Sequence, residues 1–125
     1  MSGYRNGADL ERAAKHHLED NGYYVIKSGG SKGIVDLAAF KPGELLFVQC
    51  KRAGYLSPSE RRTLHGLAVK LGAVPLAAFW HKQGTAARTI AYVELFSLHG
   101  SPWSPDHGIA DARATARALP QGGIG

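Results

Sequence analysis

Asp36, Gln49 and Lys51 are the residues whose types and spacing could do chemistry. Asp36 lies near the start of an apolar run, Ile34 to Phe40, that reads as a strand. Gln49 and Lys51 end a second such run, Leu45 to Lys51. Between the runs stands Lys41-Pro42-Gly43-Glu44, with Pro to fix φ and Gly to accept the positive φ of a type II turn. Strands joined by such a turn are antiparallel, so all three residues return to one end of the hairpin. Side chains alternate between faces along a strand, which puts Gln49 and Lys51 on one face and Val48 and Cys50 on the other. An acid, an amide oxygen and an ammonium then converge beside a basic, glycine-rich loop, Lys27 to Gly33. That is a nuclease-like arrangement.

The remaining elements must hold that hairpin. Residues 8–21 read as a helix, with Leu10, Ala13, Ala14, His17 and Leu18 on one face, Asn6 placed to cap its start and Asn21-Gly22 to stop it. Glu11 sits at the edge of that apolar stripe. As an isolated residue it is a first-turn acid favoured by the helix dipole. His16 and His17 point to different sides of a helix and do not suit one metal. Tyr23 to Ile26 is a short strand. The loop after it lacks the Gly-Lys-Ser/Thr of a Walker motif, but its Ser31 and Lys32 could hold a backbone phosphate. Ser57-Pro58-Ser59-Glu60 is a helix start: cap Ser, Pro in the first turn and Glu three residues after the cap. That helix runs to Leu71, with Gly72 as its stop and Leu64, Leu67, Ala68 and Leu71 as its buried stripe. Arg61, Arg62 and Lys70 lie off the stripe, where they form a solvated face or reach DNA. Val74 to His81 is apolar nearly throughout and reads as a strand covered on both sides. Phe79 and Trp80 within it suit a core or a subunit interface. Gln83-Gly84-Thr85 is a turn and Ala87 to Phe96 a final strand. Ser101-Pro102-Trp103-Ser104-Pro105 ends any strand, and residues 108–119 could form an Ala-rich helix. The order α-β-β-β-α-β-β predicts an α/β fold, a central mixed five-stranded sheet flanked by helices. The domain is expected to span residues 1–100, with 101–125 as a peripheral or mobile tail.

Composition narrows the classes. A chain of 125 residues, 44% hydrophobic and 20% charged, suits one small globular domain. Its net charge of +5 and pI near 9.6 favour an anionic partner. Residues 1–100 carry thirteen Lys and Arg against eight Asp and Glu, so the basic excess belongs to the folded part. Cys50 is the one cysteine, which excludes an internal disulfide or a Cys-based zinc site and fits a reducing, cytoplasmic setting. No apolar run approaches a membrane span, and residues 1–17 lack the apolar core of a signal peptide.

Taken together, ADLERAAKHHLEDNGYYVIKSGGSKGIVDLAAF, LLFVQCKR, the capped helix and LGAVPLAAFW resemble the PD-(D/E)XK nuclease superfamily. The resemblance is closest to the archaeal-type Holliday junction resolvases, some of which are encoded by viruses. It spans residues 8–96 and implies a restriction-endonuclease-like αβββαβ core. Carried over residue by residue, Glu11 matches the family's helix acid, Asp36 its metal-binding Asp and Lys51 its catalytic Lys. Gln49 stands where these resolvases usually have Glu. Arg12, Ser31 and Lys27 match positions used around the scissile phosphate or DNA backbone, and Lys32, Arg52, Arg61 and Arg62 complete the expected DNA-binding set.

The resemblance implies paired, Mg²⁺-dependent cuts in four-way DNA junctions by a homodimer, with Mn²⁺ able to substitute and the host cytoplasm as the setting if the gene is viral. Mg²⁺ takes oxygen ligands. Asp36, the Gln49 amide oxygen, the Cys50 backbone carbonyl and Glu11 are the expected donors, and Lys51 orients water and stabilises charge on the phosphate. Gln49 leaves the acids at −2 where an all-acid site has −3. Three other readings compete. One is an endonuclease of the same fold acting on flaps, ends or duplex. Another is a relative that binds DNA without cutting it, which Gln49 allows. The third, a basic RNA-binding domain, is disfavoured because the sheet aromatics sit in apolar runs.

Overall fold

The computed structural model describes residues 2–28, 33–52, 55–81, 89–96 and 100–105, with side chains from residue 8 onward. Two helices, α1 (Ser2–Asp20) and α2 (Pro58–Leu71), and six strands, β1 (Tyr24–Lys27), β2 (Leu37–Lys41), β3 (Glu44–Cys50), β4 (Val74–His81), β5 (Thr89–Leu95) and β6 (Gly100–Trp103), form the fold. The strands lie in one sheet in chain order. Every neighbouring pair is antiparallel except β3 with β4, which are parallel and joined through α2. That single crossover matters most, because it returns the chain across the sheet and starts α2 beside the end of β3 where Lys51 lies.

The sheet is covered on both faces. Ala14 and Leu18 of α1 pack with Val25, Leu37, Ala39, Leu46, Val48, Leu76, Ala78 and Tyr92 on one face. Leu64 and Ala68 of α2 pack with Phe47, Leu56, Ala77 and Leu95 on the other. Alternation along β3 explains the division: Leu46 and Val48 go to the α1 side and Phe47 to the α2 side. Leu10, Leu18, Leu46 and Leu64 are fully buried, each worth about 1.5–3 kcal/mol of transfer free energy.

Local chemistry fixes the connections. Gly43 has φ +77°, so the β2–β3 turn takes the left-handed residue its type requires, and Lys41 pairs with Glu44 across it. Ser57 and Glu60 form a complete capping box at the start of α2, and Gly72 closes the helix at φ +75°.

Four details differ from the sequence-based expectation. First, α1 begins at Ser2, so Asn6 lies inside the helix and is not its cap. Gly3, Asn6 and Gly7 are poor helix formers, yet extending a helix already docked through Leu10 and Ala14 is far easier than nucleating one. Second, β2 begins at Leu37, so Ile34 to Asp36 precede the strand. Third, Leu71 is 54% exposed, because periodicity marks an apolar stripe only as far as the sheet lies beneath it. Fourth, Gly100–Trp103 forms a sixth strand on β5, so the sheet has six strands and continues past residue 100. Pro102 is tolerated because an edge strand has one unpaired side. The strand is held by Trp103, which meets Tyr92 edge-on at 5.4 Å between ring centres and tilts against Tyr23 at 6.5 Å. The expected turn at 83–85 and helix at 108–119 lie outside the described residues.

Candidate active site

Asp36 sits one residue before β2, where the ladder to β3 changes character. Its backbone N–H still donates to the Val48 carbonyl at 2.8 Å. The next contact uses its side chain: the Cys50 N–H donates to Asp36 Oδ2 at 2.8 Å. The carboxylate thus takes an N–H of β3, which orients it at the open end of the hairpin. Burial pushes the Asp36 carboxyl above its ordinary range. The Cys50 N–H and the Lys51 charge pull it down, while the Glu11 charge adds to the rise. The Cys50 thiol is pushed up by burial and then by the Asp36 and Glu11 charges, so it is an inert thiol facing the α1 core.

Those couplings locate Glu11. One residue after the buried Leu10, it brings its charge from α1 to the hairpin's open end, 3.9 Å from Lys27 Nζ on β1. Two carboxylates and two ammoniums therefore meet at the junction of α1, β1, β2 and β3. Gln49 and Lys51 share the α2 side, as alternation requires, and line a hollow of about 530 Å³ with Gly33, Ile34, Ser59, Glu60 and Thr63. That volume leaves room for a hydrated phosphate group. Gln49 Oε1 is buried and has no hydrogen-bond partner among the described residues. A buried carbonyl oxygen without a donor is costly, and a bound cation would satisfy it. No group of three His, Cys, Asp or Glu side chains close enough to hold a metal ion occurs among the described residues. Any cation here would lean on the Gln49 oxygen and main-chain oxygens as well as on carboxylates.

Lys51 has a partner that the sequence reading did not assign. Its Nζ lies 2.7 Å from Glu60 Oε2. Glu60 is also the capping-box acid that the sequence marks: its Oε1 accepts the Ser57 N–H at 3.0 Å, and its own N–H donates to Ser57 Oγ at 3.1 Å. The ammonium and the Ser57 N–H hold the Glu60 carboxyl below the usual range. The available signal was topological, since the crossover brings the first turn of α2 to the end of β3.

The other expected contact residues divide. Arg12 is exposed and paired with Asp9 at 3.0 Å along α1. Arg52 and Arg62 are exposed, whereas Arg61 lines a separate hollow with Tyr55, Leu56, Ala77 and Phe79. Ser31 and Lys32 lie outside the described residues. His17 Nδ1 lies 3.0 Å from the Tyr92 hydroxyl, the two rings stacked, which accounts for this histidine without a metal.

This architecture is that of a known structure. The Holliday junction resolvase Hjc of Archaeoglobus fulgidus, an archaeal hyperthermophile, superposes with a TM-score of 0.59 at 21% identity, over 78% of this chain and 88% of that one. At that identity the likeness shows the fold. The family follows from sequence: the model of the archaeal Holliday junction resolvase (Hjc) family matches residues 2–99, and the chain belongs to that family. A curated relative, the crossover junction endodeoxyribonuclease Hjc of Methanocaldococcus jannaschii, is 38% identical over 79 residues, 60% of this chain. The match spans 59% of that relative's length.

Proposed function

We propose that this chain is a structure-specific DNA endonuclease that resolves Holliday junctions by paired, metal-dependent phosphodiester cuts in four-way DNA. The observation that carries this is the open end of the hairpin: a half-buried Asp36 with a raised pKa, the charge of Glu11 beside it, and the oxygen of Gln49, partnerless among the described residues. A fold gains nothing from gathering such groups, whereas a hard divalent cation relieves all three. Asp36, Gln49 Oε1, Glu11 and the Cys50 carbonyl would hold Mg²⁺, with Mn²⁺ able to replace it. Such a cation, when bound, neutralises phosphate charge and lowers the pKa of the attacking water.

The protein's own part is positioning and charge. Asp36 is oriented by the Cys50 N–H, so it needs no reorganisation when substrate arrives. Lys51 presents an ammonium from the α2-side hollow to the phosphate oxygens, where negative charge grows during attack. Lys27, Arg12, Arg52 and Arg62 supply backbone contacts, with Ser31 and Lys32 from the loop and Arg61 at the flank. Symmetric cuts in two strands require two such sites at fixed separation, which a twofold homodimer gives. The setting is cytoplasmic. Among the described residues no helix is long and apolar enough to cross a membrane. The nuclease domain in this reading takes in residues 101–105, since β6 completes the sheet.

Two narrower readings share the fold: cleavage of flaps or duplex, and DNA binding without cleavage. Neutral Gln49 favours the second. One assay separates all three. Labelled four-way junction, flap and matched duplex are incubated with the protein and Mg²⁺. Paired nicks in opposite strands of the junction alone are expected. Preferential cutting of flap or duplex, or binding with no cutting under either metal, would replace the proposal with the corresponding alternative.

A further inference from the structure

We propose that Glu60 is a positioning residue for Lys51. One of its carboxylate oxygens is built into the N-terminal cap of α2, and the other holds the lysine's ammonium at the hollow it shares with Gln49. The inference rests on the reading of Lys51 as the group that acts on the phosphate.

The geometry gives one carboxylate two jobs. Oε1 accepts the Ser57 N–H at 3.0 Å, while Oε2 pairs with Lys51 Nζ at 2.7 Å. The Glu60 N–H is itself fixed by Ser57 Oγ at 3.1 Å. Turning the carboxylate away from Lys51 would therefore break the cap. The cap is in turn anchored by Pro58 in the first turn and by the buried Leu64 one turn further on. A rigid helix start thus sets where a long, four-carbon side chain ends. Lysine is otherwise a mobile cation whose ordering opposes catalysis, so a fixed partner removes that cost before substrate binds. The pair is no plausible device for stability, because both side chains are about one-third exposed, at 30% and 33%. Ion pairs that exposed contribute little to folding. The Glu60 carboxylate lines the same hollow as Lys51, so DNA that fills the hollow meets an ammonium already in place.

The test uses the full chain, a four-way junction in excess protein, and single-turnover rates at saturating Mg²⁺. Glu60→Gln keeps an acceptor for the cap, since Gln serves in capping boxes, but removes the charge that holds Lys51. Ser57→Ala is the control: it removes the Oγ half of the cap and keeps the Ser57 N–H that holds Glu60 Oε1 as well as the pair of Glu60 with Lys51. Lys51→Ala tests the underlying reading. Rates are compared below the melting transition of every variant. The expected result is a fall of roughly 10- to 100-fold in the Glu60→Gln rate, with junction affinity and melting temperature near wild type. Ser57→Ala should show the opposite split, a lower melting temperature with the wild-type rate. A wild-type rate in Glu60→Gln beside an inactive Lys51→Ala would overturn the inference and leave the reading standing. A wild-type rate in Lys51→Ala would overturn the reading itself. Recovery of the Glu60→Gln rate at higher Mg²⁺ would also overturn the inference, because it would make Glu60 a metal ligand.

Discussion

The two ends of the β2–β3 hairpin are made by the same two strands and differ in how far their polar groups are satisfied. At the closed end the charge is accommodated: Lys41, which stands opposite Glu44 in the strand register, sets its ammonium 4.2 Å over the Tyr23 ring. At the open end burial and the Glu11 charge disfavour the ionised Asp36 more than the Cys50 N–H and Lys51 favour it, and Gln49 Oε1 is buried without a donor among the described residues. The closed end is arranged as folding alone would arrange it. The open end carries an electrostatic cost that folding alone does not explain. That contrast between neighbouring regions is the physical reason to place the chemistry there.

The contrast can be broken from either side. Removing charge at the open end should stabilise the metal-free protein. Because the folded-state pKa of Asp36 is raised, the folded chain holds that proton more tightly than the unfolded chain. Stability is therefore lost as pH climbs from the ordinary Asp value of 3.8 through the raised one, and the deficit stays at neutral pH. Asp36→Asn keeps an acceptor for the Cys50 N–H and has nothing to ionise. In EDTA it should melt several degrees above wild type at pH 7, with the gap closing as pH falls below that window. Melting curves across pH check this, and equal melting at every pH would remove the electrostatic basis of the site.

Adding charge should do the reverse. Gln49→Glu brings a third carboxylate beside Asp36 and Glu11, so the EDTA melting temperature should fall while affinity for Mg²⁺ or Mn²⁺ rises about tenfold, the effect of roughly 1.4 kcal/mol. Calorimetric titration reads that change, and unchanged affinity would separate Gln49 from the cation. The smallest effect belongs to the closed end. Lys41→Ala loses the cation over Tyr23 and should cost about 0.5–1 kcal/mol in denaturant unfolding, with no change in nicking rate.

Much of this was legible in the residues because it was local. The Pro-Gly turn, the alternation of Val48, Gln49, Cys50 and Lys51, and the capping box of Ser57 and Glu60 each depend on neighbours in sequence, and each stands as read. What escaped depended on partners far along the chain. Pro102 marked a strand end by local rules, yet an edge position and Trp103 packing on Tyr92 made β6 possible. Asn6 looked like a cap because the docking that carries α1 back to Ser2 is tertiary. Leu71 carried the right period with no sheet to cover it. Glu60 is the instructive case: a sufficient local explanation, the cap, hid a second contact that only the β3–α2–β4 crossover creates.

The central claim is that the unfavourable open end of the hairpin cuts DNA only with a divalent cation. The most direct measurement is the rate of nicking of a labelled four-way junction as Mg²⁺ is titrated, wild type beside Asp36→Asn, at protein concentrations where both bind the junction. The wild type should give paired nicks that rise and saturate with Mg²⁺, and Asp36→Asn should give none while binding equally well. Equal nicking by the two proteins across the titration would contradict the account.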